Sequence, residues 1–532
     1  MFVDARTLSD GEAIEADICI IGAGAAGITL ARELSGSPLR VCLLESGGFK
    51  PDSRTQALYR AESEGLQIDP EESRLRMFGG STNHWTGWCR PLEPIDFEKR
   101  DWLPYSGWPF DKSHLDPFYE RATDVVELPS RRFDSSAWES GEKRALKFTD
   151  GLAADSMFQL SPPTMFGRAY RSGIADARNV TAYLHANVVE IVTCESGAKA
   201  TRLLVKTLEG KQLSASASIY VLAAGGIENA RLLLASNGAQ RCGVGNTRDL
   251  VGRFFMEHPY FYSARLELTV RAPSLALYAV PSTNPPSRNA AAVGMFTFTE
   301  QLQRAEQLVA CAVRPVLLHP TYATREEFYS TGPKSARRIV DAVREMRMPH
   351  RPAAELMNVV RGAREIGLLF AQRLAESFSR ATPIALRTVV EATPDPDFRV
   401  SLADKRDLLG SRSARVNWKL GERQRRSSAR MHELLGHELA RANVGSISLF
   451  PESGDTGWPA SLYYGGHHSG TTRMHRSAAE GVVDENCRVH GVSNLFIAGS
   501  SVFPTIGYAN PTLTIVALAL RLADHVKELR FS

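Results

Sequence analysis

The chain has 532 residues, 43% of them hydrophobic and 23% charged, with a formal net charge of +4. That length predicts roughly two or three domains and a composition like that of ordinary globular enzymes, and so mild a positive balance gives no support for a nucleic-acid partner. Seven scattered cysteines with no CxxC pair argue against a disulfide framework or a zinc site and fit a reducing compartment.

The N-terminal stretch MFVDARTLSDGEAIEAD is acidic and polar, where a secretory signal needs a basic start and an apolar run. No run approaches the ~18 apolar residues of a membrane span, so the expectation is a soluble, cytoplasmic protein. ADICIIGAGAAGITLARELSGSPLRVCLLESGG follows. Ile18–Ile21 reads as a short strand, Ile28–Leu34 as a helix and Val41–Leu44 as a second strand ending at Glu45 and Ser46. Between them Gly22, Gly24 and Gly27 form G-x-G-x-x-G. The first glycine permits the turn, the second lets the backbone approach a pyrophosphate, and the third lets helix and strand pack closely. The helix start offers free N–H groups to phosphate, and Glu45 is placed for a ribose diol. The pattern predicts a dinucleotide site without choosing between NAD and FAD.

From Arg76 to Phe110, RMFGGSTNHWTGWCRPLEPIDFEKRDWLPYSGWPF carries a Gly79-Gly80-Ser81 turn able to cradle phosphate. Asn83, His84, Trp85 and Thr86 continue that loop, while Trp102 and Trp108 read as core. Residues 179–236 predict several strands with turns at Ser196-Gly197 and Glu209-Gly210. Val188 lies on one of these strands. Ala224 and Gly225 then start a second strand–turn–helix unit, so the sheet draws on distant segments. Residues 334–380 hold ten Lys/Arg against five Asp/Glu in a helical pattern. This basic insertion, about 322–385, is expected to pack on the surface, with an oligomer contact, a lid or a docking patch as the alternatives. The strands expected around 386–420 make Glu391 and Asn417 candidates for substrate contact, and His258 reads as structural.

YYGGHHSGTTRMH, Tyr463–His475, sets two adjacent histidines among glycines. Their side chains diverge and no Asp/Glu/Cys cluster accompanies them, so no metal site is expected. Near the C-terminus a strand, Leu495–Ala498, leads to a Gly499-Ser500 turn. A helix starts after Asn510 with Pro511 and Thr512 in its first turn, aiming its partial positive charge at whatever lies beside Asn510.

Taken in order, GAGAAG with Glu45, GGSTNHW, AAGGIENARLLL, HHSGTTRM and NLFIAGSSVFPTIGYANPTLT resemble the glucose–methanol–choline (GMC) family of FAD-dependent oxidoreductases, and within it the pyranose-oxidase-like and bacterial sugar-dehydrogenase-like members. The resemblance implies an α/β fold: a discontinuous Rossmann-type FAD domain (1–110, 180–252 and 463–532) with an inserted α+β substrate domain (111–179 and 253–462) built on an antiparallel sheet. It places the family's base, in H-x-x-G-T, on His467 and its partner on Asn510, with His468 as a pocket wall.

Alcohol oxidation removes a hydroxyl proton and a carbon-bound hydride. The hydride would pass to flavin N5, the proton needs a base titrating near neutrality, and Asn510 can steady the oxygen. A secondary hydroxyl of a sugar or glycoside is the expected substrate. The family also contains a flavin lyase chemistry that uses the histidine without net redox, and a non-catalytic flavin-binding module is a third possibility. The resemblance leaves open whether FAD is joined covalently to His84, with the non-covalent form favoured. It also leaves open whether dioxygen, a quinone or a carrier reoxidises the flavin, and whether the chain forms a homo-oligomer.

Overall fold

A computed structural model describes residues 1–279 apart from 67, 150 and 163, residues 292–317, 335–336, 339–340 and 352–363, and residues 384–531 apart from 453–456 and 460. Most of the basic insertion lies outside the described residues. Within it, Pro352–Arg361 forms a helix.

Two eight-stranded sheets organise the molecule. In the first, Val180–Leu184, Val41–Leu44, Ala13–Ile21, Gln212–Leu222 and Leu495–Ile497 lie parallel in that order. Their continuous apolar sequence follows from burial on both faces: Ile18 to Ile21 and Val41 to Leu44 are all buried. The helices Ala25–Glu33 and Thr512–Phe531 share that core. The helix expected from Ile28 therefore starts three residues earlier. Pro511 immediately precedes the C-terminal helix, and its carbonyl accepts the first intrahelical bond, from Ile515 N–H.

The second sheet is antiparallel, ordered Gly445–Leu449, Pro259–Leu268, Ile384–Val390, Cys311–Leu317, Ala292–Phe298, Leu152–Leu160 and Trp88–Cys89. A third, three-stranded sheet joins Ala61–Gly65 to Arg412–Trp418 and Arg399–Arg406. The expected inserted antiparallel sheet is present, but the chain crosses between cores more often than the expected boundaries allow. Helix Lys112–Val125, placed in the substrate domain from sequence, buries Leu115, Tyr119 and Ala122 in the core of the first sheet, and Tyr119 Oη lies 2.8 Å from Thr514 Oγ1 on the C-terminal helix. Conversely, Trp88–Cys89, placed in the FAD domain, pairs with the second sheet. Among the described residues no helix is long and apolar enough to cross a membrane.

The pairing that builds the site is short. Met256 and Ser469 exchange both backbone hydrogen bonds at 3.0 Å, and Gly465 N–H donates to His258 C=O at 3.2 Å. This ladder lays the segment leaving the first sheet beside the two-histidine loop, 209 positions away in sequence.

Candidate active site

A cavity of about 340 Å³ runs between the sheets. Its floor at one end is the first glycine turn. Gly22 has φ +102° and a Cβ there would come 2.7 Å from Ala223 O, while a Cβ on Gly27 would meet Gly22 O at 1.9 Å. Turn and helix are thus packed backbone to backbone, as the spacing required. Gly80 closes the opposite side, where a Cβ would lie 3.0 Å from Gly24 Cα. Glu45, buried, accepts from Ala23 N–H at 2.9 Å and Gly47 N–H at 2.8 Å through separate oxygens. Those bonds fix the carboxylate beside the turn and leave lone pairs for a diol.

Of the residues expected to hold the cofactor, Gly22, Gly24, Glu45, Ser46, Gly80, Ser81, His84, Trp85, Thr86, Ala224, Gly225, Gly499, Ser500, Asn510, Pro511 and Thr512 line this cavity. Val188 lies on a small adjoining one shared with Ser46 and Ala224. Three do not line it. Gly27 is turned into the helix–strand contact, Gly79 packs against Gly167, and Asn83 spends its amide on Phe78 O and Gly80 O at 2.9 and 3.0 Å. These three shape the cradle from behind.

Sequence reasoning missed the charged wall. Arg74 and Arg76 line the cavity and both pair with Glu228 at 3.0 Å, which also receives Arg231 at 2.7 Å. Burial opposes ionisation of Glu228, but the three guanidiniums prevail and hold its carboxyl near about 2. The excess of cations, with the buried Arg76 Nε unpartnered, complements an anionic dinucleotide. Backbone cradle, diol acceptor and cationic wall together fit FAD.

At the other end His467 and Asn510 stand on the same cavity wall, their Nε2 and Nδ2 atoms 3.2 Å apart. Behind them is His258, fully buried and not expected here. Its Nε2 lies 2.9 Å from the carbonyl of Gly507 and its Nδ1 lies 2.9 Å from His467 Nδ1. A carbonyl only accepts, so His258 carries its proton on Nε2 and its Nδ1 is an acceptor. His467 must then donate from Nδ1, which leaves an unprotonated Nε2 facing Asn510 and the cavity. Burial first, then the neighbouring His258, His468 and Arg387 charges, push the His467 pKa well below its ordinary value, so the imidazole is neutral at physiological pH.

Glu257 supports this pair from beneath. Fully buried, it accepts from His467 N–H at 2.8 Å and His258 N–H at 2.9 Å through Oε1. Its other oxygen lies 3.3 Å from His468 Nε2. Burial pushes Glu257 up to about 8 and His468 down to about 3, so one proton sits on the carboxyl and the pair is neutral. His468 stacks on Phe255.

Two other expectations fail. Glu391 is not a substrate contact: it is wholly buried in a bidentate pair with Arg100 at 2.6 and 2.9 Å and accepts from Ala310 N–H. Asn417 lies on the three-stranded sheet, its amide directed at Asp397 O, away from the cavity. The core reading of the two tryptophans is met by their partners, Trp102 donating to Leu308 O and Trp108 to Thr505 Oγ1. Among the described residues no cluster of His, Cys, Asp and Glu could hold a metal.

The parallel sheet with its glycine turn, diol acceptor and imidazole-bearing wall defines an FAD-dependent oxidoreductase, and residues 17–243 match the family described as FAD dependent oxidoreductase. Residues 394–519, which include both His467 and Asn510, match the family GMC oxidoreductase. The chain is thus similar to the GMC oxidoreductases over its C-terminal part and to FAD dependent oxidoreductases over its N-terminal part. It is 24% identical to the fructose dehydrogenase large subunit of Gluconobacter japonicus over 97% of this chain and 98% of that one. Identity to the 2-methyl-1,2-propanediol dehydrogenase of Mycolicibacterium austroafricanum is also 24%, over 97% and 96%. A crystal structure of formate oxidase shares the fold, with a TM-score of 0.59 at 15% identity over 98% of this chain and 100% of that one.

Proposed function

We propose that the protein oxidises an alcohol, a secondary hydroxyl of a sugar or glycoside, to the carbonyl, with His467 as base and Asn510 as its partner at the substrate oxygen. The observation that carries the reading is the hydrogen-bond line Gly507 C=O, His258, His467, which leaves the Nε2 lone pair of His467 at the cavity wall beside Asn510. When bound, FAD supplies the hydride acceptor. The substrate hydroxyl donates to His467 Nε2 and gives it the proton as the carbon–hydrogen bond breaks. The imidazolium so formed keeps its Nδ1–H on His258, which spreads the new charge without a second proton moving. Asn510 Nδ2–H is free to turn from the imidazole to the oxygen and stabilise its developing charge. The sugar and diol dehydrogenases among the relatives support an alcohol carbon as the reacting centre.

The test is an anaerobic spectral screen of the purified holoprotein against sugars, glycosides and simple alcohols. Bleaching of the flavin by an alcohol is expected, and His467→Ala should keep its flavin while losing about 10²–10⁴-fold in the rate of bleaching. Near wild-type bleaching in that variant removes His467 as base. Conversion of a substrate without bleaching overturns the redox reading. Acid precipitation reports separately on His84: we expect the yellow colour to leave the pellet.

A further inference from the structure

We propose that the substrate of this site carries an anionic oxyacid group, a carboxylate or a phosphate ester, which Arg314 and Arg387 receive beside the reacting hydroxyl. The inference rests on the alcohol-oxidation reading and adds the class of substrate.

Arg314 and Arg387 are direct cross-strand partners in the antiparallel sheet, and Tyr262 faces Arg387 from the next strand. Cross-strand partners share a face, so two guanidiniums lie side by side, an arrangement that is destabilising unless something discharges it. Several buried arginines of this protein meet carboxylates, Arg100 meeting Glu391 and Arg74, Arg76 and Arg231 converging on Glu228; buried Arg473 instead donates to Tyr105 O and lies over the Phe254 ring. Arg314 is only 7% exposed, yet among the described residues neither it nor Arg387 has an acidic partner, and the Nε of each is buried without a hydrogen bond. Burial and the adjacent Arg387 lower the Arg314 pKa to about 9.

What surrounds them is aromatic. The Arg314 guanidinium lies 4.9 Å from the Trp88 ring, and that of Arg387 lies 4.5 Å from Tyr260 and 5.4 Å from Tyr463. Such contacts leave the charge intact; Arg314 keeps it while buried, and Arg387, half-buried, also donates a hydrogen bond to the Tyr463 side chain. Two planar donor forks side by side match an oxyacid in bidentate geometry. The pair reaches the site through its ring neighbours, neither guanidinium itself being among the residues that line the cavity. Trp88 lines the cavity, and the Tyr260 ring under Arg387 is 6.0 Å from the His467 ring. An anion here would be separate from the Arg74–Arg76–Glu228 group, which lines the cavity.

The experiment uses the holoenzyme and reads binding from perturbation of the flavin absorbance, with glucuronate, glucose 6-phosphate, glucose, acetate and inorganic phosphate as probes, at low and high salt. Glucuronate or glucose 6-phosphate should bind at least about 10-fold more tightly than glucose. The preferred member identifies the oxyacid, and acetate or phosphate should compete with it. Salt should erode the preference, and Arg314→Gln/Arg387→Gln should abolish it; Arg387→Gln alone, should the double variant not fold, should reduce it. Equal dissociation constants for charged and neutral probes, no binding of any anion, or a preference that survives the substitutions overturns the inference. Bleaching by neutral sugars without a charge preference would sink the anion site and leave alcohol oxidation standing. A charge preference with no bleaching by any alcohol would do the reverse.

Discussion

His258 offers the sharpest perturbation of the proposed mechanism, because it touches the base and lies behind it. Its Nδ1 is 2.9 Å from His467 Nδ1 and its opposite nitrogen is anchored 2.9 Å from Gly507 O. His258→Leu removes the acceptor without adding a charge. In the resting state the His467 Nδ1–H is then buried and unpaired. In the transition state the loss is larger, since the ring has become an imidazolium and a hydrogen bond from a charged donor is worth about 1.5–3 kcal/mol. Set against about 0.5–1.5 kcal/mol for the neutral bond lost in the resting state, the difference is about 1–1.5 kcal/mol, or about a 5- to 13-fold fall in the rate of flavin reduction. Anaerobic stopped-flow reduction measures it, with the visible flavin spectrum and FAD content confirming an intact cofactor site. His258→Gln supplies a carbonyl toward His467 and an amide N–H toward Gly507, so it should recover part of the rate. That rescue separates positioning of the base from mere packing. A His258→Leu enzyme reducing its flavin within threefold of wild type would refute the tautomer argument, because His467 would then need no acceptor at Nδ1.

Two further predictions concern stability and cofactor loading. Burial holds His258 and His432 near about 4 and His468 near about 3, whereas unfolded imidazoles protonate near 6.5. Their stabilising contribution is therefore complete above about pH 6.5 and is lost as pH falls, by about 1.4 kcal/mol per pH unit per histidine. Glu257 runs the other way: pushed up to about 8, it stabilises fully below about pH 4.5 and loses that contribution as pH rises toward 8. Tm measured from pH 4.5 to 8 should fall on the acid side, and Glu257→Gln should flatten the alkaline side; an acid side that stays flat contradicts the buried neutral histidines. Gly22→Ala combines a left-handed φ, costing about 1–2 kcal/mol, with a Cβ 2.7 Å from Ala223 O, so the purified variant should show a lower flavin-to-protein absorbance ratio and a lower Tm. Full flavin content in that variant would mean that the turn tolerates displacement.

How much of this could be read from the chain depends on the range of the interaction that fixes each residue. Gly22, Gly24, Gly27 and Glu45 obey rules that act within one strand–turn–helix unit, and the structure brings them to one turn, with Ala23 N–H bound to Glu45. His467 and Asn510 were legible through motif resemblance alone. Nothing in the composition near either one places them 3.2 Å apart. His258 reads as structural in the sequence because its contact with His467 is created by the Met256–Ser469 ladder, a pairing over more than two hundred residues that no local pattern announces. Its one local sign is a buried acid directly before it, Glu257, followed by Pro259 at the start of a strand. Glu391 failed for the converse reason. A carboxylate on a strand over the site reads as a ligand until its partner Arg100, 291 positions away, is known.

The same contrast explains where the charges of this protein carry meaning. A carboxylate with a single guanidinium partner is already answered within the fold, as Glu391 is by Arg100, and removing that partner exposes a cost inside the core rather than a function. The neutral histidine line and the facing Arg314–Arg387 pair are unanswered in opposite senses. His467 Nε2 keeps an unprotonated lone pair that faces the displaceable Asn510 amide, and the two guanidiniums keep positive charge that no acid among the described residues offsets. A neutral sugar would satisfy only the first. A substrate bearing both a hydroxyl and an oxyacid would satisfy both, and its negative charge would also offset the Arg387 field, which adds to burial and the neighbouring histidines in depressing His467. Binding of the right substrate would thereby raise the affinity of the base for the proton it is about to take.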